Sequence, residues 1–377
     1  MIRYGPAGIP LSCKGRTLKD GIEDVHNLAL TALEVQLVRP RTISRPVDED
    51  EEAGKTLNSL PPESEFVLGI DRDGEYIYDR DEPIMEEDNL IQLLVPPTAT
   101  FNDLPKLGKI ARRHDVALSS HTPYYMDLTG NIEGDDREAA LTNQYYEVLI
   151  QAGIITDALD GEVVVTSLGP YDERLRTRDQ SDDNIFQNIS NIMEVWQMYG
   201  LKPKVGIEVT GQSDVFGSAE QIFDLCDQID GLVPVLNFAH YQARSGCALE
   251  TPADFADLIG EFANYNGGHI MSSFSNVEVD REKCYEKVLT PLKKGDLKFE
   301  RLAETLAEIN PDMTIISSSP LLEHDAVYMR TLTERVLSKK AMKVLKERRK
   351  EQAKAEKEAE EAAAAAAAES EEPPAEE

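Results

Sequence analysis

The sequence predicts a (β/α)8 barrel, and three observations lead there. Eight short apolar stretches alternate with helix-like stretches, the turns between them are mostly short, and three residues able to do chemistry, His121, Glu208 and His240, fall at the ends of three apolar stretches. Strands alternating with helices argue a parallel sheet. In a closed parallel barrel the C-terminal strand ends share one mouth, so residues far apart in sequence can meet there.

The elements follow in order. The first strand is expected over residues 3–10, and a helix from Leu18 follows, with Thr17 as N-cap and Asp20 as the capping acid three residues on. Strand two covers 32–38. Between residues 40 and 97 the rhythm breaks: the acidic run DEDEEAG precedes a segment that alternates apolar and polar residues about Asp73-Gly74, as a hairpin does. This is read as a β-rich insertion, not a ninth unit. The rhythm resumes with a helix over 101–115, strand 116–121, helix 137–158, strand 162–168, helix 183–199, strand 204–209, helix 219–229, strand 233–238, helix 252–265 and strand 269–274. Residues 275–295 read as a long loop. Helix 299–309, strand 313–318 and helix 323–337 complete the count. The barrel is therefore expected over residues 1–342. Residues 343–377 are rich in helix formers and opposite charges but have almost no apolar face, which predicts a frayed helix ending in a disordered tail.

Composition narrows the function classes. The net charge is −31, and the segment from Lys343 holds 7 basic and 11 acidic residues, so −27 belongs to the preceding body. Such a field repels nucleic acid at a distance unless a local basic rim survives, and it suits a salty cytoplasm where charge is screened. No apolar run of about 18 residues and no signal peptide are present, which points to the cytoplasm and away from membranes. Cys13, Cys226, Cys247 and Cys284 form no CxxC pair and read as reduced thiols. Dinucleotide, P-loop, zincin and nucleophile-elbow motifs are absent. Asp71-Arg72-Asp73-Gly74 lacks the remaining acids of a calcium loop and reads as a turn.

His121, Glu208 and His240 are a chemically suitable set for a divalent metal, since imidazole and carboxylate suit zinc, manganese or iron. Serines gather at the same strand ends: Ser119, Ser120, Ser167, Ser272, Ser273, Ser275, Ser317, Ser318 and Ser319. They offer hydroxyls to a polyhydroxy or phosphorylated ligand, or cap the elements that follow.

The segments SHTPYYMD, VGIEVTG, VLNFAHYQARSG and SSSPLLEHDA together resemble the endonuclease IV family and the wider xylose isomerase-like TIM-barrel superfamily, over residues 2–337 without the insertion. The resemblance implies a three-zinc site that cleaves DNA beside abasic positions. On this chain His121, Glu208 and His240 match the third-strand His, fifth-strand Glu and sixth-strand His of that site. Ser167, Asn237, Ser273 and Ser318 stand where the family has His, Asp, His and Glu, and of the loop pair at 286–288 only Glu286 could bind metal, Val288 having no donor. One zinc or manganese ion on His121, Glu208 and His240, or none, is expected in place of three. The implied function is a degenerate metal-dependent phosphodiesterase acting on abasic DNA, with Glu208 as its central residue. The alternatives are a sugar or sugar-phosphate isomerase or epimerase, and a non-catalytic binding protein.

Overall fold

The computed structural model describes residues 1–38, 41–133 and 137–369, the side chains of 363–369 excepted. Along the chain the elements are β1 (Ile2–Pro6), α1 (Leu18–Asn27) and β2 (Ala32–Gln36), then the insertion strands β3 (Thr42–Pro46), β4 (Val67–Arg72), β5 (Glu75–Ile77) and β6 (Asn89–Leu93). There follow α2 (Leu104–Arg113), β7 (Ala117–His121), α3 (Arg137–Ala158), β8 (Val163–Thr166), α4 (Arg178–Met198), β9 (Lys204–Glu208), α5 (Ala219–Gln228) and β10 (Leu232–Asn237). The rest comprises α6 (Phe238–Arg244), α7 (Pro252–Phe262), β11 (His269–Phe274), β12 (Asn276–Asp280), β13 (Tyr285–Thr290), α8 (Phe299–Ile309), β14 (Asp312–Ser317) and α9 (Glu323–Glu369).

Eight strands form one parallel sheet in the order β1-β14-β11-β10-β9-β8-β7-β2, with helices outside it, as the sequence predicts. The sheet curls until its edges meet. There β1 and β2 touch through an Ala7–Glu34 bridge and a hydrogen bond from Thr31 N to Tyr4 O (2.9 Å). Gly5 permits this closure, because a Cβ on it would lie 1.8 Å from Ala32 O. Inside, Ala32, Val163, Val165, Val233, Val235, Met271 and Ile316 fill the barrel. A strand repeats its facing every two residues, so Glu34, Asn237, Ser273 and Ser318, each two residues past one of these, are directed inward toward the mouth. The larger core lies between the sheet and its helices.

The insertion is β-rich, as expected: an antiparallel sheet in the order β3-β6-β4-β5, with Asp73 and Gly74 turning the β4–β5 hairpin at φ 53° and 88°. One face supplies Phe66, Leu68, Tyr78, Ile91 and Leu93 to the main core, while Val67, Ile70 and Leu90 on the other build a small core with Val47, Leu57, Leu60 and Ile84. Arg72 holds Asp88 through both oxygens (2.9 Å each) beside it.

The capping box at Thr17 and Asp20 is present. Many strands and helices are up to a few residues shorter than expected, β1 ending at Pro6 rather than residue 10, and four other differences matter more. α4 begins at Arg178 rather than Asp183, because Thr177 and Gln180 make a second capping box upstream. Residues 275–295 are not simply a loop: they contain the antiparallel β12–β13 hairpin, whose Val277 and Val279 pack beneath α6. Strand six stops at Asn237, whose side chain caps α6. α9 does not pause after Leu337 but runs to Glu369, since helix formers continue and no Gly or Pro interrupts them. The disorder expected farthest along the tail concerns 370–377, which lie outside the described residues. Among those described, no helix is long and apolar enough to cross a membrane.

Candidate functional site

The inward-facing strand ends bring together a row of polar groups. Glu208, at the end of β9, is 6% exposed, and its Oε1 accepts hydrogen bonds from Asn237 Nδ2 (3.1 Å) and Ser273 Oγ (3.2 Å). Its Oε2 faces two imidazoles, His121 Nε2 and His240 Nδ1, each at 3.7 Å. The three residues singled out in the sequence therefore do share one mouth, although these contacts are longer than hydrogen bonds.

Each imidazole is oriented by the backbone. His121 Nδ1 lies 2.6 Å from Thr122 O, and His240 Nδ1 lies 2.8 Å from Val209 O. A carbonyl only accepts, so both Nδ1 atoms carry the proton. His121 Nε2 is left buried without a hydrogen-bond partner among the described residues, beneath the ring of Tyr124 at a centroid distance of 4.7 Å. His240 Nε2 turns the other way, to Glu286 Oε2 at 3.2 Å. Asn237 ties these parts together: its Oδ1 accepts from His240 N (3.1 Å) while its amide nitrogen donates to Glu208.

Glu286 arrives from the β12–β13 hairpin, which docks through Glu286 N on Gly211 O (2.9 Å). A Cβ at Gly211 would lie 2.3 Å from Glu286 Oε2, so the carboxylate reaches the mouth across a bare backbone. Glu34 on β2 is a further buried carboxylate at 4% exposure, accepting from Gln36 Nε2 (2.7 Å). Glu34 has no role in the sequence reading, although a lone acid within the apolar strand ALEVQ is a signal that could have found it.

Burial opposes charge on every one of these groups, and their neighbours decide the outcome. Burial pushes the Glu34 carboxyl up to about 7, with the His121 charge opposing and Glu208 adding to the rise. Burial and Glu208 likewise raise Glu286 above the usual carboxylate range, against the pull of His240. In the Glu208–His121 pair burial is outweighed: the imidazoles and Asn237 hold Glu208 low, and Glu208 and Glu34 hold His121 high. The pair is charged, and it sits beside carboxyls that titrate more readily.

These donors do not fit a single metal ion. A three-donor site needs Glu208 and one free nitrogen of each histidine aimed at one point. His240 instead presents Glu208 with the nitrogen already donating to Val209 O and aims its free one at Glu286. Among the described residues no three His, Cys, Asp or Glu side chains form a group that could hold a metal. Of the serines, Ser272 bonds Thr314 O (2.8 Å), Ser319 bonds Asp325, and the hydroxyls of Ser275, Ser317 and Ser318 have no partner among the described residues. His269 lies at the start of β11, facing Asp312, at the opposite end of the barrel.

Above Glu208 the mouth opens into a cavity of about 710 Å³. Its walls include Tyr124, Tyr125, Tyr145, Asp127, His240 and Glu286. No Lys or Arg is among the described residues that line it.

Comparison with known proteins extends this picture. The family described as xylose isomerase-like TIM barrel matches residues 85–347. A protein of Methanocaldococcus jannaschii, itself uncharacterized, is 24% identical over 219 residues, which is 57% of this chain and 76% of that protein. Endonuclease IV from Thermus thermophilus superposes with a TM-score of 0.53 at 14% identity, over 89% of this chain and 99% of its own. An L-ribulose 3-epimerase gives 0.53 at 13% identity, over 91% and 97%. A nuclease and a sugar epimerase thus share the fold equally well.

Proposed function

Starting from the fact that the chain belongs to the xylose isomerase-like TIM-barrel family, we propose that its mouth binds a small neutral polyhydroxylated molecule and transfers a proton on it, as an isomerase or epimerase does. The observation that carries this reading is the charge of the cavity lining: Asp127, Glu208 and Glu286 are there beside His240, and no Lys or Arg is among the described residues that line it. A phosphodiester or sugar phosphate would bring further negative charge against these carboxylates, with no Lys or Arg on the described lining to neutralise it. A neutral sugar or cyclitol instead offers hydroxyl donors to the carboxylates and apolar C–H faces to the tyrosine rings.

The side chains divide the work. Glu208, held ionised by Asn237, Ser273 and two imidazoles, anchors ligand hydroxyls. Glu286, in contact with His240 and with its carboxyl raised toward neutrality, is the proton carrier. Its carboxylate takes the proton from a carbon beside the ligand's carbonyl, leaving an enediol, and returns it to the adjoining carbon while a hydroxyl proton crosses between the two oxygens, with His240 holding the Glu286 carboxyl in place. Four free cysteines support the reducing cytoplasm as its location.

The test incubates the protein with a panel of neutral ketoses and inosose-type cyclic ketones in D2O and follows deuterium entry at the carbon beside the carbonyl by NMR. Exchange that Glu286→Gln abolishes is the expected result. Cleavage of an abasic-site oligonucleotide, dependent on Glu208 and without exchange on any sugar, would overturn the reading in favour of phosphodiester chemistry.

A further inference from the structure

α9 leaves the barrel at Lys340, whose Nζ donates to Ala307 O (2.9 Å), and residues 341–362 are exposed along their whole length. Beyond the packed turns of Ala326, Met329 and Thr333, apolar residues continue on a face rotated from the barrel by roughly a fifth of a turn. Leu337, Val344 and Leu345 are 40%, 42% and 55% exposed there. Farther along, the same face carries Arg348, Gln352, Ala355 and Ala359, spaced three and four residues apart.

Charge is divided unevenly along this helix. Residues 339–350 hold seven basic and one acidic side chain, and residues 351–361 hold five acidic and two basic. The basic block follows directly on a body of charge −27. A helix with one basic and one acidic half is complementary to itself only when reversed. Reflecting the sequence about Gln352 sets Arg348 opposite Glu356 and Leu345 opposite Ala359, a large residue on a small one, and lays the basic block along the acidic one. A parallel pair would instead set like charges side by side.

From these features we infer that the projecting part of α9 pairs antiparallel with the same segment of a second copy of this chain, centred on Gln352. Arg348 of each copy lies opposite Glu356 of the other with Arg349 beside it, Glu360 falls about one turn farther on, and Leu345 is seated over Ala359. The pairing sets the two barrels at opposite ends of roughly 35 Å of helix. At that distance their repulsion is screened in physiological salt, where the Debye length is about 8 Å. Nucleic acid is the less suited occupant, since phosphates drawn to 339–350 would meet the acidic block one turn later.

The test is light scattering on the full chain at about 100 µM, above the micromolar Kd of a small interface. The expected mass approaches twice 42.0 kDa. The double variants Arg348→Glu/Arg349→Glu and Glu356→Lys/Glu360→Lys should each weaken dimerisation at least tenfold, and mixing them one to one should restore a mixed dimer. All four positions are exposed, so unchanged melting temperatures will establish that the barrels are intact. A monomeric wild type, a dimer indifferent to both charge swaps, or a mixture that stays monomeric would each overturn the inference. So would a monomer whose basic block binds a generic oligonucleotide.

Discussion

Replacing Gly5 with Ala tests how the barrel closes. The added methyl would sit 1.8 Å from Ala32 O and 2.3 Å from the carbonyl carbon, where an ordinary contact is about 3.5 Å. Both atoms are backbone, so no side chain can swing aside, and β1 and β2 must part by more than 1 Å, about the difference between those distances. The Thr31 N to Tyr4 O bond, now 2.9 Å, then stretches past hydrogen-bonding range, and the Ala7–Glu34 bridge is lost. Overpacking costs about 1–3 kcal/mol, and two closure contacts about 1 kcal/mol each, for a total of roughly 3–5 kcal/mol. Urea unfolding measures this directly. Affinity for any ligand of the mouth should fall as well, because Glu34 rides on the displaced strand. A stability loss below about 1 kcal/mol would refute the reasoning, since it would mean the seam opens without strain.

Three further outcomes are expected. Asp88→Asn leaves Arg72 paired with Glu82 and bonded to Pro83 O and should cost about 2–3 kcal/mol at pH 7; because Arg72 holds the Asp88 carboxyl below its usual range, the contribution is present above about pH 4 and fades as pH falls through the lowered value, so the variant and wild type should converge in acid melts. Burial raises Glu34 to about 7, so the contribution of Glu34 to stability should be full below about pH 4.5 and be lost by roughly 3 kcal/mol as pH rises from there through 7, a loss that Glu34→Gln removes; equal pH profiles for the two proteins would contradict this. Zinc or manganese at micromolar concentration should leave the melting temperature unchanged, and a rise of several degrees that His121→Ala or His240→Ala cancels would show that the mouth rearranges around an ion.

The barrel was legible in the sequence because its strands are buried apolar runs and several of the helices after them open on caps that can be read as chemistry, Thr17 with Asp20 being one case. The hairpin over 276–290 carries a comparable signal in the alternation of Val277, Glu278 and Val279, but its position between two barrel units makes the span read as a connection. Glu286 is picked out in the sequence as a possible ligand, but its contact with His240 is not, since Glu286 reaches the mouth through the fold of the hairpin back onto Gly211. Ring orientation was beyond reach for a different reason. Which nitrogen of His240 is free depends on Val209 O, a backbone atom with no signature in residue type.

The insertion sheet, with one face in the main core and the other closing over Val47, Leu57 and Ile84, has a thermodynamic consequence. Its outer layer is held by a few apolar contacts and the Arg72 cluster, so it can open while the barrel stays folded. Amide protons of β3 and of residues 47–60 should exchange at a lower free energy than those of β9 or β10, as a separate cooperative unit.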